Sequence, residues 1–383
     1  MPIRRVLISG LFATFLAACH TTTIPTPVVG TGFISVAVGG LHTVVVKNDG
    51  SLWTWGQNYF GQVGNETTMD QPTPLQIAAG TIPWVSAAAG QYYSLALRAD
   101  DTLWAWGDNF YGELGDGTTT PRNIPVQVAI AAPSSTISAG GTPLGGAHTV
   151  ALQTNGSLWA WGDNTYGELG DGTTTSQRAP EQIGTATYIA VAAGGFHTAA
   201  LQSDGTLWAW GYNASGQLGD GTTTSQSVPE QIGTDTYAAV AAGGFHTLAL
   251  KADGTLWAFG DNTYGQLGDG TTTQRNAPVE VQSGSGYTFT AVAAGLYHTV
   301  ALDSAGTLWT WGWNVDGQLG NGQTTSADIP QGIAVAFIDL LGAGNLHTVA
   351  TRYDGSLWAW GSNTFGQLGN TNRTNQPTPL QVQ

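Results

Sequence analysis

The block Leu-Trp-x-Trp/Phe-Gly recurs seven times along the chain, and no other feature narrows the possible folds as far. Its first tryptophan is Trp53, Trp104, Trp159, Trp208, Trp257, Trp309 and Trp358, at spacings of 51, 55, 49, 49, 52 and 49 residues. Eleven residues before each stands His42, His148, His197, His246, His298 or His347, with Tyr93 in the second copy. Each block runs on into Gly-x-Asn-x-x-Gly, with Asn58, Asn109, Asn164, Asn213, Asn262, Asn314 and Asn363. A period near 50 residues marks one supersecondary unit, whose apolar faces are covered only by its neighbours.

Inside the unit the period is two. In "HTVAL" His148, Val150 and Leu152 share one face, and in "SLWAWG" Trp159 and Trp161 share another. Asn155-Gly156 and Asp204-Gly205, lying between such runs, read as two-residue hairpins. "VAAGG" ahead of the histidine is a strand of small residues. The Pro-x-x-hydrophobic pieces, Pro180–Ile183 and Pro229–Ile232, form a fourth strand, where proline suits an edge. The chain is therefore expected to be all-β, a seven-bladed β-propeller with about four antiparallel strands per blade. Small residues belong at its crowded axis, and indole pairs fill the wedges between blades farther out. The repeat asparagine is expected to close an Asx turn, and the repeat histidine to cap a backbone group between blades. Pro-x-x-hydrophobic occurs eight times, counting Pro25–Val28 and Pro379–Val382, one more than seven blades require. The C-terminal copy is expected to complete a blade at the seam.

The first 27 residues read differently. Arg4 and Arg5 precede an apolar run, Val6 to Leu16, and then Leu16-Ala17-Ala18-Cys19. The run is too short to anchor by spanning a bilayer and has signal-peptide architecture. Its end resembles the lipobox of bacterial lipoproteins. That resemblance implies a signal peptide over 1–18 and a diacylglycerol on Cys19, with a polar tether over 19–27 leading into the propeller that the repeat places over 28–383. It places the protein outside the cytoplasm, lipid-anchored to a bacterial membrane in the cell envelope. Cys19 is the single cysteine, so no intramolecular disulfide forms. Loss of Arg4 and Arg5 would leave 8 basic residues against 25 acidic ones, a net charge of −17. Such a chain repels phosphate backbones, so nucleic acid is not an expected partner.

At "DGTLWAWGxNxxGQLGDG" the sequence resembles the regulator-of-chromosome-condensation repeat family, over roughly residues 25–383. The resemblance implies a seven-bladed propeller, as the period does. The family's founding eukaryotic member is a nucleotide exchange factor for a small GTPase. Lack of a basic tail, the acidic charge and the export signal argue against that role here. A secreted bacterial β-lactamase inhibitor protein also resembles this repeat, with shorter loops, and grips its enzyme with one propeller face.

No arrangement of serine, histidine and acid forms a nucleophile with its base, and "GDGTTT" is not a phosphate loop. The expectation is a non-enzymatic monomer without cofactor or metal. The histidines lie too far apart around a propeller to share an ion, and Asp116, Asp171, Asp220 and Asp269 read as turn residues. What varies between copies carries the functional reading. Before the histidine stand Leu41, Tyr92, Ala147, Phe196, Phe245, Tyr297 and Leu346. After "WG" stand Gln57, Asp108, Asp163, Tyr212, Asp261, Trp313 and Ser362. Tyr92, Phe196, Phe245, Tyr297, Tyr212 and Trp313 are the candidate contacts of one face with a protein or glycan partner. The alternatives are an inhibitor or modulator of an extracytoplasmic enzyme and, less favoured, an exchange-factor-like protein. The stretch Ala129 to Gly145 is the longest insertion and reads as a surface loop.

Overall fold

The computed structural model describes residues 32–78, 80–282 and 286–383. Cys19, the signal segment, the tether and Pro25–Val28 lie outside these residues. Every blade is a four-stranded antiparallel meander made from one contiguous stretch of chain, and there are seven. In blade 1 the strands are Phe33–Val38, His42–Lys47, Leu52–Gly56 and Gln71–Ile77. In blade 7 they are Ile338–Ala343, His347–Arg352, Leu357–Gly361 and Gln376–Val382. Blades 3 and 4 share a strand: Gln177–Ala193 is the outer edge of one and, continuing, the inner strand of the next.

The hydrophobic core is divided into seven clusters, one between each pair of neighbouring blades. Between blades 3 and 4, Val150, Leu152, Leu158, Leu169 and Ile183 receive Trp210 and, farther out, Trp208. The two indoles of each copy share a face, as the spacing requires, but do different jobs. The second (Trp55, Trp106, Trp161, Trp210, Trp311, Trp360) is wholly buried, with Phe259 in its place in blade 5. Such burial of some 200 Å² per ring makes these wedges the largest single contributors to the core. The first indole is half-buried and donates its N–H to its own hairpin, as Trp53 does to Ser51 Oγ at 2.8 Å.

A polar relay runs round the ring inside the wedges. His197 Nε2 lies 2.8 Å from Thr247 Oγ1 of the next blade. That hydroxyl donates back to the Gln217 carbonyl of the blade that holds His197, at 2.7 Å. A hydroxyl has one proton, so the histidine nitrogen is the donor. His42, His148, His246, His298 and His347 repeat the contact with Ser94, Thr198, Thr299, Thr348 and Thr43. Between blades the histidines thus reach a hydroxyl, and the hydroxyl caps the backbone; His148 also sets Nδ1 2.9 Å from the Gly146 carbonyl of its own blade. In five blades the buried indole N–H shares the same carbonyl: Trp311 donates to Gln266 O at 2.9 Å, beside Thr299 at 2.8 Å, and Trp55, Trp106, Trp161 and Trp360 do likewise. Burial holds His42, His197, His298 and His347 down to about 3 and His246 to about 4, so these rings are neutral in the fold. Tyr93 replaces the histidine by reaching the His148 carbonyl.

The inner strands end in glycine because nothing larger fits. A Cβ on Gly194 would stand 2.4 Å from His197 Cε1 and 2.7 Å from the Gly243 carbonyl. The repeat asparagine does more than close an Asx turn. Asn164 is fully buried, accepts from Leu169 N and donates to Asp171 Oδ1, Thr173 O and Thr175 O, so it pins a loop of twelve residues. The stretch 129–145 is not one loop, since Ser134–Ala139 within it is the inner strand of blade 3. The true insert is Thr142–Gly146, five residues between the inner-strand glycines and Ala147.

Candidate functional site

In a four-stranded meander, the connections 1–2 and 3–4 emerge at the same end of the blade. The residue before the histidine and the "WGxNxxG" loop therefore share one face of the disc. The structure joins most of the candidate aromatics there into one array across blades 3 to 6. Phe196 lies 5.8 Å from Phe245, and Phe245 stacks on Tyr297 at 5.7 Å. Tyr212 contacts Phe196 at 6.0 Å, and Trp313 contacts Tyr297 at 5.7 Å. Tyr92 is not in this array. It belongs to a second cluster, with Tyr59, Phe60 and Phe110, on blades 1 and 2.

Two array members were missed by the sequence reasoning: Tyr166 and Tyr264. Tyr166 sits 4.6 Å from Tyr212 and 5.5 Å from Phe196; Tyr264 stacks on Trp313 at 5.4 Å and meets Tyr297 at 5.3 Å. Both occupy the second variable position of Asn-x-x-Gly, where Phe60, Tyr111 and Phe365 also stand, so a signal was present. The loop fixes that position. Two residues on, a glutamine or glutamate side-chain oxygen accepts its backbone N–H, as Gln266 does for Tyr264 at 2.9 Å and Glu168 for Tyr166 at 2.7 Å. Phe60, Tyr166 and Tyr264 each lean on the pre-histidine residue of the following blade. Phe196 is only 7% exposed, whereas Tyr166 and Tyr264 are 39% and 36% exposed. Phe196 therefore supports the array and the tyrosines present it.

The array ends in a cleft of about 240 Å³ lined by Tyr111, Leu144, Gly145, Asp163, Thr165, Tyr166, Phe196, Tyr212 and Phe245. Its cause is local. Blade 3 has Ala147 where its neighbours carry an aromatic, and the Thr142–Gly146 insert folds beside the gap, closed by a Thr142–Gly145 bridge. Asp163 forms the floor and is 2% exposed. Its Oδ1 accepts from Thr165 N at 3.1 Å, Thr165 Oγ1 at 2.6 Å and Ser176 Oγ at 3.4 Å; its Oδ2 accepts from Gly146 N at 3.1 Å. Nearby carboxyls are perturbed. Burial, then the Asp108 charge, pushes Glu113 up to about 8; burial, then the Asp163 charge, pushes Glu168 up to about 8; burial raises Asp108 to about 6.

The aspartates of the "GDG" turns are occupied by their own loops. Asp116 accepts from Asn109, from Thr118 and from Arg122, whose nearest nitrogen lies 2.6 Å away; Asp269 does the same with Asn262, Thr271 and Arg275. A second small space is the axial bore, about 60 Å³, among whose lining residues Asn345 donates to Gln91 Oε1 at 2.6 Å.

Seven blades and a Trp-glycine repeat define a β-propeller of one repeat lineage. The chain belongs to the RCC1-like domain family, whose profile matches residues 12–340, and regulator of chromosome condensation (RCC1) repeats match 338–367 and 354–383. Among solved structures it is similar to yeast RCC1 (Prp20) with Kap60 bound, at 19% identity and a TM-score of 0.77 over all of this chain and 91% of that one. It is also similar to Prp20p from Saccharomyces cerevisiae, described with its binding to Gsp1p and histones, at 25% identity and a TM-score of 0.72 over 83% of this chain and 82% of that one. Among curated proteins it matches the E3 ubiquitin-protein ligase HERC2 of Homo sapiens, 31% identical over 157 residues, 40% of this chain and 3% of that protein. It matches the ultraviolet-B receptor UVR8 of Arabidopsis thaliana, 36% identical over 154 residues, 39% of this chain and 33% of that protein. The match thus spans a small part of either relative.

Proposed function

We propose that the chain is a non-enzymatic binding propeller that grips a protein partner with its aromatic face and is held in the bacterial envelope by lipid on Cys19. The observation that carries this reading is the array of half-exposed rings spanning four blades. Rigid aromatics with a buried underside are the side chains that dominate binding energy at protein interfaces, because they bury much area at small entropic cost. The family supports it, since Prp20p is described by the proteins it binds. A narrower form, in which the partner is an extracytoplasmic enzyme held inhibited, uses the same face.

The test is capture from envelope extract with the partner identified by mass spectrometry. Phe245→Ala combined with Tyr297→Ala and Trp313→Ala is expected to reduce capture at least about tenfold while the melting temperature holds. Phe196 is left intact because it is buried. Undiminished capture by the triple variant rejects this face. Cys19→Ser is expected to move the protein from the membrane to the soluble fraction, and an unchanged distribution rejects the anchor.

A further inference from the structure

We propose that the cleft at the end of the array takes a basic side chain, lysine or arginine, presented by the protein partner. This inference deepens the reading of the aromatic face and rests on it. Three observations converge on a cation.

The walls are aromatic. Tyr111, Tyr166, Phe196, Tyr212 and Phe245 line the cleft, and aromatic rings attract ammonium or guanidinium groups through the ring quadrupole. The floor is a carboxylate. Asp163 is buried among neutral donors and makes no ion pair among the described residues. Burial of an unpaired carboxylate costs free energy, which a cation entering the cleft offsets. Oδ2 carries one donor, Gly146 N, and keeps a lone pair for another.

Most of the chain's own described cations are engaged elsewhere, and Arg178, exposed beside Gly112, is not part of the cleft lining. Lys47, Arg98, Lys251 and Arg352 lie over tryptophan rings at the far ends of the second strands, on the opposite rim. Arg122 and Arg275 are paired with Asp116 and Asp269. No basic residue lines the cleft. A negatively charged, aromatic hole in a strongly acidic chain is complementary to a positive protrusion, and Leu144, 78% exposed at the lip, offers that protrusion's backbone an apolar rest.

The experiment titrates the purified full-length protein, carrying ¹³C-labelled tyrosine, with Nα-acetyl-arginine amide and Nα-acetyl-lysine amide. Nα-acetyl-citrulline amide, similar in shape to arginine and uncharged, is the control. Saturable shifts of the Tyr166 and Tyr212 signals are expected with the cations alone. They should weaken about tenfold in Asp163→Asn and fall with added salt. Tyr212→Ala, which removes a half-exposed wall and leaves the floor, should weaken them too, and keeps the test valid where Asp163→Asn does not fold. Equal saturation by the citrulline probe, or cation affinities unchanged in both variants, would overturn the proposal. So would saturation by a neutral oligosaccharide that is indifferent to Asp163→Asn, which would assign the cleft to a glycan. These probes need no partner. Cation binding with capture indifferent to the array variants removes the protein-binding reading, and lost capture without cation binding removes this inference alone.

Discussion

Glu113 and Glu168 stand where the other five blades carry glutamine: Gln62, Gln217, Gln266, Gln318 and Gln367. All seven side chains do one task in common, accepting the backbone N–H two residues earlier. In blade 5 the amide does a second task, since Gln266 Nε2 donates to Asp261 Oδ2 at 3.0 Å. A glutamate can replace that donor only when protonated, which agrees with burial pushing both glutamates up to about 8. The sign of the pH dependence follows. With the folded pKa above the unfolded value of 4.5, the fold holds protons that the unfolded chain releases. The contribution is complete below about pH 4.5 and is lost as pH rises through about 8. Glu113→Gln with Glu168→Gln should match the parent near pH 5 in denaturant titration and exceed it at pH 9 by several kcal/mol, since two carboxyls are each held up to about 8 and a tenfold change in a proton equilibrium is worth about 1.4 kcal/mol. Equal stabilities at pH 9 would mean that both carboxyls ionise freely in the fold. The Glu/Gln alternation was visible in the sequence, but its meaning was not, because the bond that gives it meaning runs to the backbone inside a loop.

The hairpin between the second and third strands shows how far a local signal carries. "NDG" and "TNG" announce a turn, and a turn is there, but it has three residues rather than two. Gly50 N bonds Lys47 O at 2.9 Å and Lys47 N bonds Ser51 O at 2.9 Å, a type I turn followed by a left-handed residue. That residue is glycine in six blades, with Gly156 at φ 83° and Gly205 at φ 84°. Blade 2 has Asp101 at φ 66°. Aspartate tolerates this region better than most residues but still meets its own Cβ. Asp101→Gly should therefore raise stability by about 0.5–1 kcal/mol, strain relief outweighing added chain entropy, while Gly156→Ala lowers it by about 1 kcal/mol. Thermal melts of both variants check this, and a lower Tm for Asp101→Gly would refute it. Strand order and wedge chemistry were legible because the period repeats them. The blade 3 inner strand was not. Its "SSTISA" carries serines where the other copies have small apolar residues, and only Ile137 marks the core face. The cleft escaped for a related reason, since it exists where a repeat residue is absent, at Ala147, and a pattern does not report its own gap.

Across the whole molecule, one interface differs in kind from the other six. Blades 1 and 7 are joined by no described segment of chain; their inner strands come from opposite ends of the sequence. They meet through the full polar relay of the repeat: His347 Nε2 to Thr43 Oγ1 at 3.2 Å, Thr43 Oγ1 to Gln367 O at 3.0 Å and Trp55 Nε1 to the same carbonyl at 2.9 Å. Around them pack Val45, Val349, Leu357 and Leu368. At the other six interfaces a lost contact is held near its partner by the connecting chain. At the seam the partner is held only by the rest of the ring, so weakening it favours a local opening of the terminal blades over global unfolding. Thr43→Val and Thr247→Val delete the same hydroxyl from the same relay, one at the seam and one between blades 4 and 5. Each should cost about 1–3 kcal/mol by stranding a histidine N–H; Thr247→Val also strands the Gln217 carbonyl, whereas the Gln367 carbonyl keeps Trp55 Nε1. Their hydrogen exchange should differ. Thr43→Val should speed exchange about tenfold in His42–Lys47, Leu52–Gly56 and the facing strands of blade 7, leaving blades 3 to 5 protected, for an opening made about 1.4 kcal/mol easier. Thr247→Val should speed the slowest amides throughout the disc. The same pattern from both variants would show that the seam is as cooperative as any interior wedge, and that closure of the ring does not depend on it.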